Sequence, residues 1–161
     1  TPRVVRGGAT RQQSVYEGLS AASQEGVFVH DGARPLVSAL DVRAGMREVR
    51  VGRAALLAAP VVDTIKSVEP ASLRVGATLD RATLWAAQTP QFALASDLRA
   101  AHERARRDRI DATDDAALLE RIGVEVIVVR STSENFKITR PADVARARAI
   151  LHERSLAASA G

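Results

Sequence analysis

Short β-rich apolar runs alternate along this chain with apolar positions at helical spacing. Arg3-Val4-Val5 reads as the end of a strand and Gly7-Gly8-Ala9-Thr10 as a turn. Val15, Leu19 and Ala22 then predict a helix over 12–23. A strand follows at 27–30, and Ser38 with Asp41 has the form of a capping box that opens a helix running to 50. The run 54–59 is continuously apolar and predicts a central buried strand. Residues 60–92 break the rhythm: Pro60, Pro70 and Pro90 punctuate β-branched stretches such as Val61-Val62-Asp63-Thr64-Ile65, which reads as a hairpin or arm. Helices are expected over 96–108 and 114–122, the second with Thr113 as N-cap and two acids in its first turn. Residues 124–129 read as a strand, and 135–141 as a short strand feeding a last helix from Pro141 to 156, with a frayed tail over 157–161. Strands separated by helices predict an α/β protein with a mostly parallel sheet.

The strand at 27–30 ends on His30-Asp31-Gly32-Ala33-Arg34-Pro35, which delivers Asp31 and Arg34 to the carboxyl edge of the sheet. Open α/β sheets bind ligands along that edge. A carboxylate beside a guanidinium suits a phosphorylated substrate with Mg²⁺, because the hard cation takes oxygen ligands and the guanidinium forks onto phosphate. An ordinary strand-end turn closed by a local Asp–Arg ion pair is the alternative reading.

The length of 161 residues suits one domain with a real core. Cysteine is absent, so disulfides and thiolate metal sites are excluded. The longest uncharged apolar run, 54–62, is too short for a membrane span. Thr1-Pro2-Arg3 leads straight into Val4-Val5 without a signal-peptide pattern, and a cytoplasmic protein is expected. The net charge of +4 rests on arginine. Its densest patch, Arg104, Arg106, Arg107 and Arg109, reads first as a solvated helix face and second as a nucleic-acid contact, with few aromatic residues to stack on bases. Of the 23 basic residues only Lys66 and Lys137 are lysines. A compact ammonium is a different reagent from a planar fork, which singles out Lys137 in the segment 135–141. His30 is read as structural.

Seven segments also occur in an order that points to one family. They are Gly7-Gly8-Ala9-Thr10-Arg11-Gln12-Gln13-Ser14-Val15, His30-Asp31-Gly32-Ala33-Arg34-Pro35 and Ala59-Pro60-Val61-Val62-Asp63-Thr64-Ile65-Lys66, then Asp80-Arg81, Gln88-Thr89-Pro90-Gln91-Phe92, Thr113-Asp114-Asp115 and Asn135-Phe136-Lys137-Ile138-Thr139-Arg140-Pro141. Together they resemble the 2-C-methyl-D-erythritol 4-phosphate cytidylyltransferases of non-mevalonate isoprenoid biosynthesis, over essentially the whole chain. The resemblance implies a single nucleotidyltransferase domain over 1–161, with a Rossmann-like, mostly parallel sheet and a projecting β-arm at about 60–83. The family's N-terminal glycine-rich loop, which holds the CTP triphosphate, has no match here. The chain is therefore expected to start partway through the domain, and as it stands to lack what closes the CTP site. Ala9 is a second departure, at a position where many members are acidic.

The implied roles follow residue by residue. Asp31 would bind the nucleotide through Mg²⁺ or another divalent cation. Gly8 and Ser14 would line the cytidine pocket, and Lys137 would contact the phosphates at the reacting centre. Arg81 would grip the substrate phosphate with Thr64 and Arg34 nearby, and Thr113 would lie by the methylerythritol moiety. The arm carrying Thr64 and Arg81 would reach into a second subunit, so a homodimer is expected. Neither nucleic acid nor membrane is an expected partner. The rival readings are a cytidylyltransferase for another polyol phosphate, such as ribitol 5-phosphate, and a non-catalytic interaction module.

Overall fold

The computed structural model describes residues 2–159. In chain order its elements are α1 (Arg11–Ala21), β1 (Gly26–Val29), α2 (Ala39–Glu48), β2 (Arg53–Pro60), β3 (Lys66–Val68), β4 (Val75–Thr78), β5 (Trp85–Leu94), α3 (Ala95–Asp108), α4 (Asp115–Arg121), β6 (Glu125–Arg130) and α5 (Pro141–Ser159). Four strands form the central sheet in the order β1-β5-β2-β6, while β3 and β4 pair separately. β2 and β6 are parallel, and β5 runs antiparallel to both β1 and β2. Three of the four central strands therefore share one direction and β5 is reversed between two of them.

Burial explains this order. β2 is buried from Ala54 to Ala59, as suits a strand covered on both faces. On one face Ala55, Leu57 and Phe92 pack against Val42 and Met46 of α2. On the other, Ala54 and Ala93 meet Leu19 of α1, Leu98 and Ala101 of α3 and Leu118 of α4. The predicted stripe on α1 thus does face the core, with Leu19 buried and Val15 packed beside it. α2 lies especially close to the sheet at Gly45, where an added Cβ would run into the Phe92 ring.

Several expectations change. Residues 3–5 form no strand, because they are exposed and find no ladder partner among the described residues. The arm reading of 60–92 is too long: residues 85–94 are β5, an interior strand, and only β3 and β4 form the separate hairpin, exposed along both strands. Ser38 does cap α2 by accepting from the Asp41 N–H at 3.0 Å, but the Asp41 carboxylate accepts from Ser131 Oγ instead of closing the box, and the helix ends at Glu48. Asp114, rather than Thr113, caps α4, its carboxylate accepting from the Ala117 N–H at 3.0 Å. Residues 135–140 are not a strand; one backbone bond, Ile138 N–H to Ala33 O at 2.8 Å, ties them to the 31–35 turn. Of the expected frayed tail, 157–159 continue α5, and 160–161 lie outside the described residues. No described helix is long and apolar enough to cross a membrane.

Gly45→Ala should lower stability by about 1–3 kcal/mol through overpacking against Phe92. Urea denaturation of both proteins measures it, with the midpoint falling at unchanged slope.

Candidate functional site

β1 ends in a turn held by a relay of side chains. The Asp31 N–H donates to Thr89 Oγ1 at 2.9 Å, and Thr89 Oγ1 lies 3.1 Å from His30 Nδ1. His30 Nε2 is 3.0 Å from the Arg34 carbonyl, which can only accept, so Nε2 carries a proton and Nδ1 is left to accept from the Thr89 hydroxyl. His30 is structural here, spanning the turn that presents Asp31 and Arg34.

A second segment meets this turn from the far end of the chain. Asp31 Oδ2 lies 3.4 Å from Arg34 Nε and 3.3 Å from Lys137 Nζ. Arg34 Nη1 donates to the Asn135 carbonyl at 2.7 Å. Asn135 is itself buried, and its Nδ2 donates to Gln88 Oε1 at 3.0 Å and to the Thr89 carbonyl at 2.9 Å. Arg34 is thereby fixed at both ends, while the Lys137 side chain is 49% exposed and free to follow a ligand.

A third contact joins the N-termini of α1 and α4. Buried Gln91 accepts at Oε1 from the N–H groups of Asp115 and Ala116, at 3.0 and 2.9 Å, and donates from Nε2 to Asp114 Oδ2 at 2.8 Å. The Asp115 carboxylate is buried and takes Arg11 Nη2 at 2.7 Å on one oxygen and His102 Nε2 at 3.1 Å on the other. Burial pushes this carboxyl up, but the hydrogen bonds from His102 and Arg11, helped by the Arg11 charge, outweigh it and hold the pKa below the usual carboxylate value. Arg11 opens α1, directly after the loop that carries Gly8.

The expected site residues divide into two groups, with Thr113 apart from both. Asp31, Arg34 and Lys137 come together. Ser14 and Asp31 line one open cleft of about 770 Å³ between α1 and β1, with Gly18, Val27 and Val29 also on its wall. Gly8 stands beside Ser14, its N–H donating to Ser14 Oγ at 3.1 Å, and a Cβ at residue 8 would collide with Gln13. Thr64 and Arg81 belong to the arm region instead. Arg81 Nη1 donates to the Val62 carbonyl at 2.8 Å, and neither residue bonds to Asp31, Arg34 or Lys137 among the described residues. Thr113 is exposed just before the α4 cap. The described residues hold no group of three His, Cys, Asp or Glu side chains fit for a metal ion. Asp31 alone still suits Mg²⁺, which is commonly bound by one or two carboxylates together with substrate phosphates. Its Oδ1 accepts no hydrogen bond from the described residues. Thr89, Gln91, Asn135, Arg11 and Asp115 were not singled out as site residues from sequence. The clue to Thr89 and Gln91 is the run of polar residues interrupting an apolar strand around Pro90.

The mixed α/β sheet, with an acid and two cations at the carboxyl end of its first described strand, has the nucleotidyltransferase-like fold of the solved structure below. The profile of the family 2-C-methyl-D-erythritol 4-phosphate cytidylyltransferase (IspD) matches residues 2–153, and the chain belongs to that family. It is 44% identical over 153 residues to the cytidylyltransferase of that name from Halalkalibacterium halodurans, covering 94% of this chain and 66% of that one. With the Gloeobacter violaceus relative it shares 47% over 149 residues, or 91% of this chain and 64% of the relative. The chain thus spans just under two thirds of the length of these curated relatives. The crystal structure of the Thermus thermophilus cytidylyltransferase superposes with a TM-score of 0.80 at 40% identity, over 91% of this chain and 72% of that one.

Asp115→Ala should cost about 3 kcal/mol in urea denaturation, the loss typical of breaking a buried ion pair. Because its pKa is depressed in the fold, Asp115 stabilises above its unfolded value near 3.9 and loses that contribution as pH falls through the lower folded value. The stability difference between wild type and Asp115→Asn should therefore shrink between pH 5 and pH 2, as paired denaturation curves would measure.

Proposed function

We propose that this protein transfers the cytidylyl group of CTP to 2-C-methyl-D-erythritol 4-phosphate. The substrate phosphate oxygen attacks the α-phosphorus, the α–β anhydride bond breaks, and pyrophosphate leaves. The observation that carries the reading is the Asp31–Arg34–Lys137 cluster at the carboxyl end of β1, in a chain of this family. Two polyanions must approach each other, so the protein's task is positioning and charge neutralisation rather than covalent chemistry.

Gly8 and Ser14 hold the cytidine end, with Ser14 Oγ accepting from the Gly8 N–H. Asp31 would hold a divalent cation, which would supply positive charge against the repulsion between the phosphates. Arg34, fixed by Asp31 and the Asn135 carbonyl, presents a rigid cation, and Lys137 follows the phosphates at the reacting centre. Thr113 lies by the polyol. The arm serves a second copy of the chain: Val62, Val68, Leu73 and Val75 are exposed along it, an apolar surface that a partner would cover. In that homodimer Thr64 and Arg81 of one subunit complete the site of the other, with Arg81 on the substrate phosphate. The small-molecule substrates go with a cytoplasmic location.

Pyrophosphate release from CTP and Mg²⁺ by the intact protein tests the reading, with methylerythritol 4-phosphate and ribitol 5-phosphate assayed in parallel. Release with the first substrate alone is expected. Release with the second alone would transfer the chemistry to another polyol, and no release from folded protein would leave an interaction module. Lys137→Ala should lower kcat/KM by about 10²–10³, the usual loss for one preorganised electrostatic partner. Arg81→Ala should raise KM for the polyol phosphate much more than KM for CTP; equal effects on both would move it out of the polyol half of the site.

A further inference from the structure

The loop carrying Lys137 lacks strand pairing, so its position relative to Asp31 depends on other contacts. Two come from the site itself: Arg34 to the Asn135 carbonyl, and the Ile138 N–H to Ala33 O. β5 adds the bonds from Asn135 Nδ2 to Gln88 Oε1 and the Thr89 carbonyl, and α5 grips the loop from outside. Asp143 Oδ2 accepts from the N–H groups of Thr139 and Arg140, both at 2.9 Å. The Arg146 guanidinium lies over the Phe136 ring, 4.2 Å from its centroid. About two turns further on, Arg154 Nη1 donates to the Leu36 carbonyl at 2.9 Å and Nη2 to Glu134 Oε2 at 2.8 Å.

These two acceptors sit on different loops. Leu36 is buried directly after Arg34-Pro35, and Glu134 directly precedes Asn135. A single guanidinium thus touches both segments whose meeting creates the Asp31–Lys137 contact. We propose that Arg154 is a positioning residue that sets the separation of Asp31 and Lys137 by clamping the loops that carry them. The chemistry favours this over a decorative surface pair. An exposed pair with Glu134 alone would contribute little. The bond to Leu36 is different, since it goes to the backbone carbonyl of a buried residue, and such a group requires a donor. Spanning both acceptors at once takes the planar fork of arginine; the point charge of lysine serves one at a time. Residue 154 lies just past the stretch matched by the family profile, so the clamp is a reading of this chain alone.

For its kinetic consequence the inference rests on the proposed cytidylyl transfer; for its structural consequence it does not. The intact protein is compared with Arg154→Ala, Arg154→Lys and, as a control on the same helix, Arg148→Ala, whose side chain makes no hydrogen bond among the described residues. Hydrogen exchange reads the loop directly. In Arg154→Ala the Ile138 amide should exchange about tenfold faster while β6 amides keep their protection, since the change is a local opening. In the transfer assay kcat should fall about tenfold with KM for CTP within about twofold, because misplacing reacting groups slows the step without weakening nucleotide binding. Arg154→Lys should recover only part of both effects, and Arg148→Ala should match wild type. Unchanged Ile138 exchange in Arg154→Ala, equally faster exchange throughout β6, or complete rescue by lysine would each overturn the proposal. Absence of cytidylyl transfer in wild type would defeat the functional reading alone and leave the exchange comparison to decide the clamp.

Discussion

The site hangs on the hydrogen bonds made by three buried polar side chains of β5: Gln88, Thr89 and Gln91. A buried donor or acceptor left unmade costs roughly 1–3 kcal/mol, so each group fixes where its partner must lie. Thr89 sets the Asp31 turn through the Asp31 N–H. Gln88 and the Thr89 carbonyl set Asn135, and with it the Lys137 loop. Gln91 sets the first turn of α4, whose Asp115 then sets Arg11 at the start of α1. Four segments distant in sequence are placed by three residues within one four-residue run of an interior strand.

The reversal of β5 makes this possible. In a wholly parallel sheet every strand would end at the ligand edge, and polar residues in mid-strand would be far from it. Val29, the last residue of β1, pairs with Gln91, and Ala58 near the end of β2 pairs with Ala87. The middle of β5 therefore lies along the edge where β1 stops, while β2 runs on beside it until Pro60 meets Trp85. Side chains that would be costly defects inside an apolar strand become fixed anchors for the loops.

The same feature decides what was legible in the sequence. β1, β2 and β6 were readable because their apolar runs are short and bounded, and α1 and α3 because their buried positions keep helical spacing. β5 was hidden because Gln88, Thr89, Pro90 and Gln91 look like a breaker, although their polarity is spent entirely on internal bonds. Asp31, Arg34 and Lys137 stood out through position at a strand end and through the scarcity of lysine. Arg11 and Arg154 did not, since one arginine among so many carries no signal until its partner is seen. Thr113 and Asp114 are both able caps, and only Gln91, by holding the Asp114 carboxylate and the next two N–H groups, selects Asp114.

Arginine and lysine also divide the work at the cleft. Arg34 is held between Asp31 and the Asn135 carbonyl, so its charge is already placed before any ligand arrives and little ordering entropy remains to be lost. Lys137, half-exposed on a flexible stem, keeps that entropy and, in the proposed reaction, can track a phosphate whose geometry changes during transfer. Two cations against one carboxylate leave an excess of positive charge at the cleft. Beyond about 8 Å at physiological salt that excess is screened, so it acts on a polyanion already in the cleft rather than steering one from afar. For the proposed reaction, discrimination between polyol phosphates must then come from short-range contacts outside this cluster, because Asp31, Arg34 and Lys137 present only charge, and charge is what such substrates have in common.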